Sequence, residues 1–145
     1  MIRPVVTYSS ETWTVKAKDE NNLHIFERQI LRKIFGPVNF DSVWRIRNNM
    51  EIDNLIEGAD IVRFIKAQRI KWLGHTQRMG QAGSTRKLLD WKHMGTRPVG
   101  KPRQRWQDYV MEDLKKLKVK NWKETAMDRR TWRDLAEKAK THKGL

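Results

Sequence analysis

The fold class of this chain is decided by the stretch DIVRFIKAQRIKWLGHTQRMG, Asp60–Gly80. Its apolar residues recur at three- and four-residue steps, which places them on one face of an α-helix. Asp60 is a residue type that caps helix N-termini, and a glycine such as Gly80 commonly ends a helix. The predicted core face carries Ile61, Ile65, Trp72 and Met79. The opposite and flanking sides would carry a strip of cations, namely Arg63, Lys66, Lys71 and Arg78.

A second long helix is predicted in the stretch DENNLHIFERQILRKIFGP. Asp19 is its predicted N-cap, Glu27 a solvent-facing charge, and Gly36 followed by Pro37 a strong stop. Its apolar face would be formed by Leu23, Phe26, Ile30, Leu31 and Ile34. For residues 37–58 the sequence predicts an irregular connection, with a short extended piece and a helical turn around Glu51–Glu57.

Further helices are predicted after residue 80. Ser84 would cap a short helix, and a helix from about Arg103 to Lys118 follows a Gly/Pro-rich interruption. Asn121 with Glu124 predicts a capping box, and a second cap or kink is expected after Asp128. No long apolar run of period two is present, so the predicted fold is all-α, a bundle of about five to six helices. Residues 1–145 are predicted to form a single domain, in which residues 1–36 are helical, residues 37–58 are the connection and residues 59–145 are basic and helical.

Several large or charged side chains fall on the apolar faces of these helices. Trp72, Trp106, Trp122 and Trp132 fit such faces as structural anchors. Asp113 shares a face with Trp106, and an unpaired buried carboxylate is costly. It could be a metal-binding or catalytic acid, but an ion pair with an arginine, for which Arg129 is one candidate, or bonds from backbone N–H groups are favoured.

The net charge of +14 is unevenly distributed along the chain. Residues 1–60 are close to neutral, whereas residues 61–105 contain twelve Lys and Arg against a single acid, Asp90. Solubility does not require one sign of charge to be concentrated in one region of a chain. The pattern predicts an oriented contact with a polyanion, and nucleic acid is the expected partner.

Enzyme chemistry has little support in the sequence. There is no cysteine, the four histidines have no partner at ligand spacing, and no phosphate-binding glycine loop or adjacent Asp-Asp pair is present. A self-sufficient enzyme, a bound metal, a cofactor and a small-molecule substrate are therefore not expected. No apolar run has membrane-spanning length and no secretory signal is recognisable, so an intracellular protein of the nucleus or cytoplasm is expected.

The stretch GTRPVGKPRQRW, Gly95–Trp106, places cations on a backbone that its glycines and prolines keep out of a helix. Extended backbone would let Arg97, Lys101, Arg103 and Arg105 spread along a phosphate track, while Trp106 fixes the segment to the folded body. A minor-groove hook is a narrower alternative, and a solvated basic linker remains open.

Six segments in order resemble the C-terminal region of reverse transcriptases from non-LTR, LINE-type retrotransposons. The segments are RPVVTYSSETWT (Arg3–Thr14), FERQILRKIFGP (Phe26–Pro37), VWRIRNN (Val43–Asn49), KWLGHTQRM (Lys71–Met79), GKPRQRWQDYVMEDL (Gly100–Leu114) and NWKETAMDRRTWRDLAEKAK (Asn121–Lys140). In that family this region follows the catalytic palm and is a helical thumb that grips template and primer. The family's Tyr/Phe-x-Asp-Asp motif is missing from this sequence.

The resemblance therefore implies descent from a polymerase without polymerase activity. The expected function is a non-catalytic remnant that grips a phosphate backbone, RNA, DNA or a hybrid, without reading sequence. The predicted phosphate contacts are Arg63, Lys66, Lys71, Arg78, Arg97, Lys101, Arg103 and Arg105. The alternative is a structural or protein-interaction fragment that self-associates through surface exposed by the missing palm, near the stretch IRPVV and Trp13.

Overall fold

The computed structural model describes residues 3–58, 60–91, 95, 100, 105–142 and 144–145. Over these residues the chain is predominantly helical, which confirms the predicted fold class. The helices are α1 (Arg3–Val6), α2 (Ala17–Phe35), α3 (Asn49–Leu55), α4 (Ile61–Arg78), α5 (Ser84–Asp90), α6 (Trp106–Lys116), α7 (Trp122–Met127) and α8 (Arg129–Ala139). A 3₁₀ turn spans Ser10–Thr12, and an antiparallel hairpin pairs β1 (Val38–Phe40) with β2 (Val43–Arg45).

Helix α4 is the centre of the fold. Asp60 caps it as predicted, because its Oδ1 accepts a hydrogen bond from the Arg63 N–H at 2.7 Å. The helix ends at Arg78, with Met79 as its C-cap, whereas the sequence predicted an end at Gly80. It contacts α2, α5, α6, α7, α8 and the 3₁₀ turn. Ten of its eighteen residues are buried, so it is covered around most of its circumference rather than on one face.

Two apolar clusters pack against α4. The larger joins α4 to α6, α7 and α8, with Trp132 of α8 almost fully buried. Its buried members are Ala67, Ile70, Leu73, Val110, Leu114, Ala126, Trp132, Ala136 and Ala139. The smaller lies at the N-terminal end of α4 and contains Val15, Ile61, Val62 and Ile65, with Trp13 and Leu23 packed against it.

The apolar face of α2 is only partly covered, in contrast to the prediction. Leu23 packs on the smaller cluster, but Ile34 is 64% exposed and Phe26 39% exposed. The buried residue of this helix is Glu27, which was expected to face solvent. Its Oε2 accepts a hydrogen bond from the Ile61 N–H at 2.8 Å, because the first N–H groups of α4 have no partner within the helix.

Two of the predicted N-caps are wrong, and a third lies at the predicted residue but lacks the predicted capping box. Helix α2 begins at Ala17, and Asp19 lies inside its first turn, where Oδ2 accepts from the Lys16 N–H at 3.1 Å. Helix α5 begins at Ser84 itself, after Gly83. Asn121 precedes α7 in a left-handed conformation, φ 51, and its side chain makes no capping bond.

The later cap at Asp128 is confirmed. Its Oδ1 accepts a hydrogen bond from the Arg130 N–H at 2.9 Å, and the chain turns there from α7 into α8. Helix α6 begins at Trp106 rather than near Arg103, because Arg105 is in an extended conformation. The stop at Gly36 is also confirmed, since α2 ends at Phe35.

Residues 37–58 are more regular than predicted. The extended piece is the β1–β2 hairpin, whose turn residues Asp41 and Ser42 both have positive φ, 49 and 65. Helix α3 follows, and Asn48 and Glu51 form a capping box with N–H···O distances of 2.8 and 2.9 Å. The hairpin was missed because two-residue turns of this kind usually carry Asn-Gly or Asp-Gly, whose glycine accepts positive φ without strain.

Candidate nucleic-acid interface

Lys66 does not belong to a solvent-facing cationic strip. Lys66 is 4% exposed, and its Nζ lies 2.8 Å from the Glu20 Oε1 of α2. The sequence-based prediction is wrong here because α2 covers this side of α4 as well. A buried, paired ammonium is not available to a phosphate, so we no longer count Lys66 among the predicted phosphate contacts.

Arg63 and Arg78 are half-buried and hold neighbouring segments to α4. The Arg63 Nε lies 3.1 Å from the Asp60 Oδ2, and its Nη1 donates to the Gly58 carbonyl. The Arg78 Nη1 donates to the Ala126 carbonyl at 2.6 Å. Burial lowers the pKa of Arg78, as does the nearby charge of Arg129.

Lys71 is exposed on α4, as predicted, and directly precedes Trp72. A second group of exposed cations, Arg129, Arg130 and Arg133, lies on α8, and the charge of Arg129 acts on Arg78. These were missed because they lie outside the stretch 61–105, where charge is densest. The signal that could have found them is the spacing of α8, whose buried residues Trp132, Ala136 and Ala139 leave the arginines outside.

Arg105, which follows the basic Gly/Pro-rich residues 92–104, is hydrogen-bonded to Trp91, which precedes them. Its backbone N–H donates to the Asp108 Oδ2 at 2.8 Å, and its Nη1 donates to the Trp91 carbonyl at 3.0 Å. Trp91 follows α5, whereas Arg105 precedes α6. The two residues that flank residues 92–104 are therefore bonded to each other. Arg97, Lys101 and Arg103 lie outside the described residues.

Trp106 anchors the far end of this segment. Its indole Nε1 donates to the Glu11 carbonyl at 2.7 Å, a bond between residues 95 positions apart. This bond ties the start of α6 to the 3₁₀ turn that also packs on α4. The end of the basic segment is thus held to the N-terminal region of the chain.

Asp113 is paired with an arginine, but the partner is Arg69 rather than Arg129. The Arg69 Nη2 and the Asp113 Oδ2 are 2.8 Å apart, and both side chains are buried between α4 and α6. Burial raises the pKa of Asp113, while the charges of Arg69 and Lys66 oppose that shift. Arg129 lies exposed at the start of α8.

The four predicted tryptophan anchors differ in their surroundings. Trp132 is buried, and its Nε1 donates to the Ile70 carbonyl at 2.8 Å; Trp122 is half-buried against the larger cluster. Trp72 and Trp106, also half-buried, line a cavity of about 230 Å³ together with Trp91. The meeting of these three indoles was not predicted, since they come from three separate elements with no shared spacing.

Two other kinds of site are absent from the described residues. No group of three or more His, Asp or Glu side chains among them could hold a metal ion. No helix in the same region of the chain has the length and apolar content needed to cross a membrane.

Comparison with known proteins identifies a distant relative. The chain is 23% identical over 138 residues to an uncharacterized transposon-derived protein of Caenorhabditis elegans. The similarity covers 91% of this chain and 50% of that protein, so the chain spans about half the length of its relative. No protein-family model and no solved structure matches the chain. The similarity indicates a transposon-related origin.

Proposed function

We propose that this chain is a nucleic-acid-binding module descended from the thumb of a LINE-type reverse transcriptase. The observation that carries the proposal is the concentration of twelve Lys and Arg against one acid in residues 61–105, a set from which the buried, paired Lys66 and Arg69 are excluded. The hydrogen bond from Arg105 to the Trp91 carbonyl supports the proposal, because it joins the two residues that flank the basic residues 92–104. Such a segment can follow a phosphate backbone without reading bases.

The transposon-derived relative supports this origin, and the six matching segments of the sequence favour the reverse-transcriptase thumb within it. We propose no catalysis by this chain, because the sequence contains no adjacent aspartates that could hold two magnesium ions. The module would work wherever its nucleic acid is found, in the nucleus or the cytoplasm.

The cations that would contact phosphates fall into two groups. Lys71 and Arg105 are placed by α4 and by the start of α6, whereas Arg97, Lys101 and Arg103 belong to the segment between Trp91 and Arg105. Arg63 and Arg78 already hold neighbouring carbonyls, so we expect smaller contributions from them. Binding through phosphates releases counterions and therefore weakens steeply as salt is added.

The test is fluorescence anisotropy of the purified chain with labelled single-stranded RNA and with an RNA–DNA hybrid, from about 50 to about 200 mM salt. The variant Lys71→Ala/Lys101→Ala/Arg103→Ala should bind more weakly than the wild type. With three phosphate contacts removed, the slope of log K against log salt should become shallower by about 2 on the single-stranded probe.

A matched control removes the same charge from the nearly neutral N-terminal region. Lys16, Lys18 and Lys33 are all exposed there, and changing the three to alanine should leave the salt slope unchanged. Binding to neither probe, a slope near zero, or equal weakening in both triple variants would contradict the proposal.

A second candidate, a protein-interaction fragment, is favoured by exposed apolar side chains of α2, of the hairpin and of the residue that follows it. Ile34, Phe40, Trp44 and Ile46 are 64%, 63%, 68% and 75% exposed. This surface differs from the one expected from the sequence, since Trp13 is half-buried although Val5 is 76% exposed. Concentration-dependent association in sedimentation, weakened by Trp44→Ser and without nucleic-acid binding, would favour this candidate.

A further inference from the structure

Three tryptophans and one arginine are among the nine residues that line an open cavity of about 230 Å³ between α4, α5 and α6. Trp72 comes from the middle of α4, Trp91 follows α5, and Trp106 begins α6. Arg105 lines the same cavity, and its bond to the Trp91 carbonyl holds two of the walls together. The site is therefore assembled by tertiary contacts rather than by one continuous segment.

The cavity is open to solvent on the side of α5. Trp91 is 60% exposed and Leu88, which also lines the cavity, is 71% exposed. On the α4 side, the Trp72 indole lies 5.2 Å from the His75 ring, which is itself exposed. A ligand entering from solvent would meet indole rings contributed by more than one element.

The volume favours a small ligand. Cavities that enclose drug-sized molecules measure about 300–1,000 Å³, so 230 Å³ suits one ring system rather than a whole nucleotide. Aromatic side chains hold the bases of single strands by stacking, and they do so for any base because each has a π-face.

The cations near the cavity have the sign of charge that would pair with the phosphates of a single-stranded nucleic acid. Arg105 gives one N–H to the Trp91 carbonyl, and a guanidinium carries five. Exposed Lys71 directly precedes Trp72 on α4, and the cavity is lined by Trp91 and Arg105, the two residues that flank the basic residues 92–104 in the sequence. A base in the cavity would therefore have its flanking phosphates near cations.

We propose that this cavity binds one unstacked base of a single-stranded nucleic acid, with Trp91 as the exposed stacking platform and Arg105 facing a neighbouring phosphate. The inference rests on the proposed function and adds to it a contact with a base that is independent of sequence. Trp72 and Trp106 then both support the scaffold and form the inner walls.

The test compares a labelled oligonucleotide with an abasic oligonucleotide of the same length and charge. The wild type should bind the base-containing probe about 5- to 150-fold more tightly than the abasic one, since stacking one base contributes about 1–3 kcal/mol. Trp91→Ala should remove that preference while leaving the salt slope unchanged, because no phosphate contact is lost. Trp91→Phe should retain some of the preference, and Trp91→Leu should not.

The matched control is Trp44→Ala, which removes an indole of similar exposure on the hairpin and should leave the preference intact. Equal binding of both probes by the wild type would overturn the base site and leave the proposed function standing. Binding of neither probe would overturn both. An equal loss on both probes in Trp91→Ala would also overturn the base site and would assign Trp91 to the fold or to a protein partner.

Discussion

The Trp132 indole of α8 occupies the space in which a side chain at Gly74 of α4 would stand. The same indole donates from Nε1 to the Ile70 carbonyl, one turn earlier on α4, at 2.8 Å. The two helices can come this close because residue 74 has no Cβ. Gly74 is the glycine of the KWLGHTQRM segment, so this glycine of the motif has a packing reason that does not involve a ligand.

Gly74→Ala should lower the free energy of unfolding by about 1–3 kcal/mol, because the new methyl group forces the Trp132 ring out of its place. Urea denaturation followed by far-UV circular dichroism measures the change. Gly80→Ala is the control: an added Cβ there meets no atom within 4 Å, and we expect a change within about 0.5 kcal/mol. Equal stability of the two variants would show that α8 does not pack on α4 at residue 74.

Arg69→Met should be strongly destabilising, by about 3–5 kcal/mol, because it leaves the carboxylate of Asp113 buried without its partner. The double variant Arg69→Met/Asp113→Leu should recover much of that loss, since no buried charge remains. A double-mutant cycle in urea measures the coupling. Additive effects of the two substitutions would contradict the pairing.

Glu51 should titrate far below the ordinary range of a glutamate. Two hydrogen bonds from Arg45, at 2.5 and 3.0 Å, lower its pKa to about 2, and a bond from the Asn48 N–H acts in the same direction. Because the folded-state pKa is depressed, the stabilising effect of this pair is complete above the unfolded pKa of about 4.5. It is lost as the pH falls toward 2.

In Arg45→Gln the pKa of Glu51 should rise toward 4.5, which an NMR titration of the side-chain carboxyl detects. Arg47→Gln is the comparison, since Arg47 acts on Glu51 through charge alone and has the smallest effect among the causes. An unchanged pKa in Arg45→Gln would show that the pair does not form in solution.

Trp106→Phe should lower the free energy of unfolding by about 1 kcal/mol, because an aromatic ring is kept but the hydrogen bond to the Glu11 carbonyl is lost. Trp44→Phe, on the exposed hairpin, should have little effect on the same denaturation curve. The amide of Thr12 and its neighbours in the 3₁₀ turn should exchange with solvent faster in Trp106→Phe. Unchanged exchange would mean that this bond does not hold the turn.

The sequence alone was enough for several features that depend on neighbours along the chain, although not for the caps of α2 and α5. The helical class, the cap of α4 at Asp60, the stop at Gly36 and the cap at Asp128 all follow from local hydrogen bonds and backbone preferences. The concentration of cations in residues 61–105 is likewise a property of the chain itself. The hairpin was missed because its turn, Asp41-Ser42, lacks the usual glycine.

Tertiary structure decided which of these charges and rings lie together. Periodicity shows that α4 has an apolar face, but α2 also covers Lys66, and this depends on the packing of a distant segment. The partner of Asp113 lies 44 residues away, and Trp72, Trp91 and Trp106 meet across three elements. Local preferences carry no information about such contacts, because the packing of the whole chain determines which distant faces are buried against each other.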